Sequence, residues 1–136
     1  LGAKLWLVRP LGFRLDDKHM RRAGLDYWEH LDREVVDDWD ALLARLKDAQ
    51  FWYLSKTAAR QYTDAEFRFG DVLVFGNESQ GLPRSFLDAA PDHCLRIPIR
   101  PQTRSLSLSV SAGVVAFEAR RQLVAKGEMP GEPESR

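Results

Sequence analysis

Asp71-Val72-Leu73-Val74-Phe75-Gly76-Asn77-Glu78-Ser79-Gln80-Gly81-Leu82-Pro83 is the stretch whose reading decides the fold. It begins as a strand: Asp71 to Phe75 is apolar on both faces, as a strand in a covered parallel sheet must be. A loop bearing Gly76 and Gly81 follows, and Pro83 then suits the first turn of a helix over Arg84 to Ala90. In open α/β sheets, ligands sit at the carboxyl ends of strands, in loops of this kind. Glycine there lets backbone approach a ligand or adopt positive φ. The loop has neither the GxGxxG spacing nor the P-loop lysine, so neither phosphate-binding fingerprint fits. Taken alone, it fits a structural βα turn as well as a ligand site.

The same alternation extends outward. Lys4 to Val8, Glu34 to Val36, Phe51 to Ser55 and Leu95 to Ile99 read as further short strands. Lys18 to Arg22 lies in a polar, basic segment, Asp16 to Tyr27, predicted as a short helix ended by Gly24. Asp37 or Asp38 offers an N-cap for a helix whose stripe is Trp39, Leu42, Leu43 and Leu46. A last helix is predicted from about Ser107 to Val124, and Gly127 onward has the composition of a disordered tail. The fold class expected is α/β, a mainly parallel sheet flanked by helices, in a single domain over 1–126.

The last helix is apolar on two sides. Leu108, Ala112, Val115, Ala119 and Leu123 share one face; Leu106, Val110, Val114 and Phe117 fall nearly opposite. One face can cover the sheet. The other calls for a second surface; a partner subunit is the expected one, and a fully internal helix, which 136 residues can just hold, is the alternative.

Composition narrows the function classes. Twenty basic residues balance twenty acidic ones, so any nucleic-acid contact must come from local clusters. Lys18, His19, Arg21 and Arg22 form one such cluster, with Arg9 and Arg14 close in sequence; a solvated surface explains it equally well. The single cysteine, Cys94, excludes an internal disulfide and reads as a small buried apolar residue. His19, His30 and His93 show no metal spacing, no metal is expected, and no apolar run is long enough for a bilayer. A cytoplasmic location is the expectation. Thr103 to Gly113 crowds hydroxyls and small side chains at the start of the last helix; capping accounts for much of this, but not for Arg104, which could hold a phosphate.

In register, these pieces resemble one family. Phe75 to Pro83 resembles the second signature of SPOUT-class ribose methyltransferases, and Ile97-Pro98 followed by Arg104-Ser105-Leu106-Ser107-Leu108-Ser109 resembles the third. Leu11-Gly12-Phe13 and Arg21 to Tyr27 are similar to the TrmL subgroup, which methylates the wobble ribose of certain tRNAs. The likeness runs in order from Leu1 to about Leu123.

The resemblance implies a C-terminal deep trefoil knot, a homodimer through the last helix, and S-adenosylmethionine bound in the knot. It places Leu54, Gly76, Gly81, Ile97, Ser105 and Leu106 at the cofactor, largely through backbone groups, and Arg21, Arg22 and Arg104 at tRNA. Ser107 and Glu78 are the catalytic candidates it leaves. The implied activity is tRNA ribose 2′-O-methylation at the wobble nucleotide, with a non-catalytic knotted RNA-binding homologue as the alternative. Three features depart from the family pattern: Ser107 stands where asparagine is usual, Phe117 where tyrosine is frequent, and Gln80 where the subgroup often has arginine. The first family signature has no counterpart, and the chain opens on a strand-like run without an initiator Met. The expectation is that this signature, with the group that accepts the hydroxyl proton, lies upstream of Leu1.

Overall fold

A computed structural model describes residues 3–8, 32–76, 81–99 and 108–131. They fall into two compact units, one ending at Asp48 and the other beginning at Ala49.

The first unit holds a parallel strand pair, β1 (Leu5–Val8) and β2 (Arg33–Val36), in register from Leu5↔Arg33 to Val8↔Val36. Helix α1 (Trp39–Arg45) follows at once. Of the two aspartates offered as its cap, Asp38 is the one used: Oδ1 accepts from the Ala41 N–H at 2.8 Å. Leu42 is its buried anchor. Glu34 accepts from Lys4 at 3.0 Å and from Arg45, and both cations lie over the Trp6 ring, at 4.6 and 5.2 Å. The two hydrogen bonds, Arg45 foremost, hold the Glu34 carboxyl below its ordinary range.

The second unit is a four-stranded sheet in the order β4-β6-β3-β5, every neighbouring pair parallel. Its strands are β3 (Phe51–Leu54), β4 (Arg60–Gln61), β5 (Val72–Phe75) and β6 (Cys94–Arg96). Helix α2 (Arg84–Ala89) lies between β5 and β6 in sequence, and α3 (Leu108–Ala125) is last.

Alternation along the strands sorts the side chains into two faces. Trp52, Leu54, Leu73, Phe75, Leu95 and Ile97 point to one side, into a core shared with Ala65, Phe67, and Val115 and Ala119 of α3. Phe67, Leu95 and Val115 are fully buried, and each such side chain contributes about 1.5–3 kcal/mol of hydrophobic stabilisation. On the other side, Tyr53 meets the Phe86 ring of α2 at 6.0 Å, and the buried Cys94 thiol donates to the Ala90 carbonyl at 3.1 Å. Burial pushes both the Tyr53 phenol and the Cys94 thiol above their ordinary pKa, so both stay neutral. The sheet is therefore covered on both faces, as the apolar run of β5 requires.

Helix α3 bears out one of its two predicted faces directly. Val115 and Leu123 are buried and Ala119 packs on the core, whereas Val110 and Phe117 are 49% and 59% exposed. Gln122 fastens the helix to the segment beneath it. Its Oε1 accepts from Phe67 N–H and its Nε2 donates to the Ala65 carbonyl, both at 2.9 Å. Gly127, where the tail was expected to begin, instead caps the helix: it takes φ +77, its N–H donates to Val124 and that of Glu128 to Leu123, a Schellman motif.

Beyond one-residue shifts at element ends, two boundaries and one strand differ from expectation. The strand predicted over Leu95 to Ile99 is Cys94–Arg96, because Pro98 has no N–H for the ladder and the chain leaves it early. Pro83 is the N-cap of α2, just outside its first turn. Strand β4 went unpredicted, since two polar residues carry no periodicity; its place is fixed by pairing with β6. The short helix predicted within Asp16 to Tyr27, ended by Gly24, and the predicted trefoil knot depend on residues outside those described.

Candidate functional site

Three of the residues assigned to the cofactor meet at the carboxyl edge of the sheet. Leu54 ends β3 and pairs with Phe75 on one side and Leu95 on the other. Gly76 is one residue beyond Phe75, and Ile97 two beyond Leu95. The Ser55 N–H donates to the Leu95 carbonyl at 2.9 Å, carrying the β3–β6 ladder to the rim. Leu54, Phe75 and Ile97 give this rim an apolar lining on the core side.

The fourth, Gly81, is joined to Gly76 by close packing. A β-carbon on Gly76 would lie 2.1 Å from the Gly81 carbonyl carbon and 2.3 Å from the Leu82 nitrogen. Such distances exclude any side chain at position 76 while the backbone holds its course. Gly81 has φ +70 and open space where its own β-carbon would stand. The two glycines therefore have different work: Gly76 permits a backbone crossing, and Gly81 supplies a left-handed turn. The loop that began as an undecided βα turn is pinched shut at its base, right at the rim.

Glu78, Arg21, Arg22, Arg104, Ser105, Leu106 and Ser107 lie outside the described residues. Among the described residues no group of three or more His, Cys, Asp or Glu side chains could hold a metal ion, and no helix is long and apolar enough to cross a membrane.

Two features of this unit escaped the sequence reading. At the amino edge, the Oδ2 atom of Asp71 accepts from Gln50 Nε2 (2.8 Å), Trp52 Nε1 (2.9 Å) and the Arg68 N–H (2.9 Å). His93 stacks on Trp52 at 4.6 Å and its Nδ1 donates to the Phe51 carbonyl at 2.9 Å. At the carboxyl edge, Arg96 ends β6 with a buried Nε that has no hydrogen-bond partner among the described residues. The signal for Arg96 was present, a lone charge inside the apolar run Cys94-Leu95-Arg96-Ile97.

Residues 1–117 match the SpoU rRNA Methylase family, which is most of the chain. The chain belongs to that family. Among relatives of this SpoU protein, a tRNA (cytidine(34)-2′-O)-methyltransferase of Methylovorus glucosotrophus is 43% identical over 122 residues, 89% of this chain and 79% of that protein. A solved structure described as giving insight into 2-OH methylation of C/U34 on tRNA is 44% identical, with a TM-score of 0.81, over 90% of this chain and 80% of the other. The crystal structure of an RNA methyltransferase candidate from Bacillus anthracis is 40% identical, with a TM-score of 0.86, over 99% of this chain and 84% of that one. The resemblance read from the sequence is thereby established at the level of the family and of its α/β fold with a parallel sheet.

Proposed function

We propose that this SpoU protein is an S-adenosylmethionine-dependent tRNA ribose 2′-O-methyltransferase acting at nucleotide 34, the wobble position, as the relatives above are named. The structural observation that carries the reading is the rim itself. Leu54, Gly76 and Ile97 converge at the carboxyl ends of three adjacent parallel strands, closed by the Gly76–Gly81 crossing.

The residues present suit the cofactor. Leu54, Phe75 and Ile97 offer apolar surface to an adenine face, and the backbone beyond each strand end offers donors and acceptors to its edges. Ser105, Leu106 and Gly81 belong to the same binding set in this reading. S-adenosylmethionine supplies an already electrophilic methyl group, so the chain's contribution is chiefly to bind, orient and exclude water. Ser107 serves as a hydrogen-bond donor at the reacting ribose, and Glu78 braces the loop or orients a hydroxyl. Arg21, Arg22 and Arg104 face the RNA backbone. In this reading a C-terminal trefoil knot encloses the cofactor.

The protein acts as a two-fold dimer in the cytoplasm, where its tRNA substrate is found. What supports the dimer is α3: its core face is satisfied within the chain, while Val110 and Phe117 remain exposed beside the half-buried Val114. Sedimentation at micromolar concentration is expected to show a dimer, and Phe117→Asp a monomer.

Methyl transfer from S-adenosylmethionine to total tRNA, followed by nucleoside analysis, tests the activity. A 2′-O-methylated residue at position 34 is expected. Cofactor binding without methylation would favour the non-catalytic reading, in which Ser107 cannot replace asparagine. Absence of both would end the proposal.

A further inference from the structure

Arg96 is a cation with no ion-pair partner among the described residues. Its side chain makes no hydrogen bond or ion pair with any described residue, and its Nε is shut away from solvent. An Nε–H in this state has lost water without gaining a partner among the described residues, and such a group calls for an explanation, while the half-buried side chain leaves its terminal nitrogens for a ligand.

The neighbours on its face do not neutralise it. In the parallel register Arg96 lies opposite Gln61 of β4, whose side chain is already engaged by the Asp64 backbone in a capping box. Tyr53 and Cys94 precede it on the same face, and burial keeps both neutral. On its other flank, one step past the Leu54↔Leu95 pair, is Ser55, whose hydroxyl is 2.9 Å from that of Thr57. The acid nearest in sequence on α2, Asp88, faces Arg84 at 3.8 Å. The edge thus offers a planar donor fork beside two hydroxyls, a set suited to an anion with several oxygens.

We propose that Arg96 binds a backbone phosphate of the RNA substrate at the carboxyl edge of the sheet. This rests on the function proposed above and adds a phosphate contact on the α2 side of the sheet. The alternation of β6 decides between the two anions that a methyltransferase handles. Leu95 and Ile97 turn to the core face with Leu54 and Phe75, where the cofactor lining is; Arg96 turns to the opposite face. The carboxylate of the cofactor would have to cross the strand to reach it, whereas an RNA strand draped over the rim passes both faces.

The test compares the wild type with Arg96→Met and Arg96→Lys in three measurements: tRNA binding across a salt series, S-adenosylhomocysteine binding, and melting temperature. Arg96→Met is expected to weaken tRNA binding about ten-fold, the low end for a charge-assisted hydrogen bond. It should also flatten the slope of log K against log salt by about one. Cofactor affinity stays unchanged, and Arg96→Lys keeps the wild-type slope. If Arg96→Met fails to fold, Arg96→Gln is read by the same criteria. Loss of S-adenosylhomocysteine affinity instead would assign the anion to the cofactor and overturn the inference. An unchanged salt slope, with or without a lower melting temperature, would leave Arg96 a structural residue and overturn it too. A wild type that neither binds nor methylates tRNA would remove the function proposed above, and this contact with it. A wild type that methylates normally beside an unaltered Arg96→Met slope sinks the contact alone.

Discussion

The two edges of the four-stranded sheet are built on opposite plans. At the amino edge, polar groups are saturated. One carboxylate oxygen of Asp71 gathers three donors, His93 is stacked and hydrogen-bonded, and Arg60 spans the carbonyls of Asp64 and Asp92 at 3.0 and 2.7 Å. At the carboxyl edge, the backbone is pinched between two glycines, the lining is apolar, and a guanidinium nitrogen is left unbonded. The first arrangement contributes stability and leaves nothing for a ligand to take. The second gives up stability to shape and to an unsatisfied donor, which is consistent with the binding role proposed for it. The amino edge meets its polar groups within the described residues and the carboxyl edge leaves one unmet, the difference on which the proposal for Arg96 rests.

The largest effect should come from Gly76→Ala. With the new methyl 2.1 Å from the Gly81 carbonyl carbon, the crossing must open. S-adenosylhomocysteine affinity, read by titration calorimetry, is expected to fall beyond detection. Gly81→Ala meets open space and bears only the strain of φ +70, about 1–2 kcal/mol, so it retains measurable binding. Equal losses from the two variants would show that the crossing is not what shapes the rim.

At the opposite edge, Asp71→Ala leaves the Trp52 indole and the Arg68 N–H without their acceptor. About 2–4 kcal/mol of stability should be lost in chemical denaturation, because charge-assisted bonds are broken and the indole N–H of the buried Trp52 loses its acceptor. Cofactor affinity measured well below the melting temperature is expected to be unchanged. A loss of affinity on the scale of the Gly76 variant would erase the distinction between the edges.

The smallest effect concerns α3. The Glu118 carboxyl is held below its ordinary pKa, chiefly by Arg121 and also by Gln122. A depressed folded-state pKa gives stability that is present above the unfolded value and lost as pH falls through the folded one. Glu118→Gln should therefore flatten the acid side of a stability–pH profile while leaving the neutral side nearly level. A variant profile parallel to the wild type across the acid range would contradict this.

How much of this was legible beforehand follows the same division. Most strands were readable as short apolar runs closed by turn residues, and a cap at Asp37 or Asp38 was readable, though not which of the two is used. The core face of α3 followed from helical spacing alone. Strand β4 was not readable, being two polar residues held only by their neighbour β6. At the site, Leu54, Gly76, Gly81 and Ile97 could be named from motif order, but the separate duties of the two glycines required knowing that the backbones cross. The Asp71 network joins residues 19 and 21 positions apart, which no local pattern encodes. Arg96 looked like one more arginine until its Nε was seen to have no partner among the described residues.

Amide hydrogen exchange of the full chain, with and without saturating S-adenosylhomocysteine, tests the division most directly. Protection on binding is predicted at the rim, at Leu54–Ser55, Gly76, Gly81–Leu82 and Ile97. The amino edge, at Gln50, Arg68–Asp71 and His93, should exchange at the same rate in both states. Protection concentrated at the amino edge, or spread evenly over both, would contradict the assignment of the carboxyl edge as the binding site.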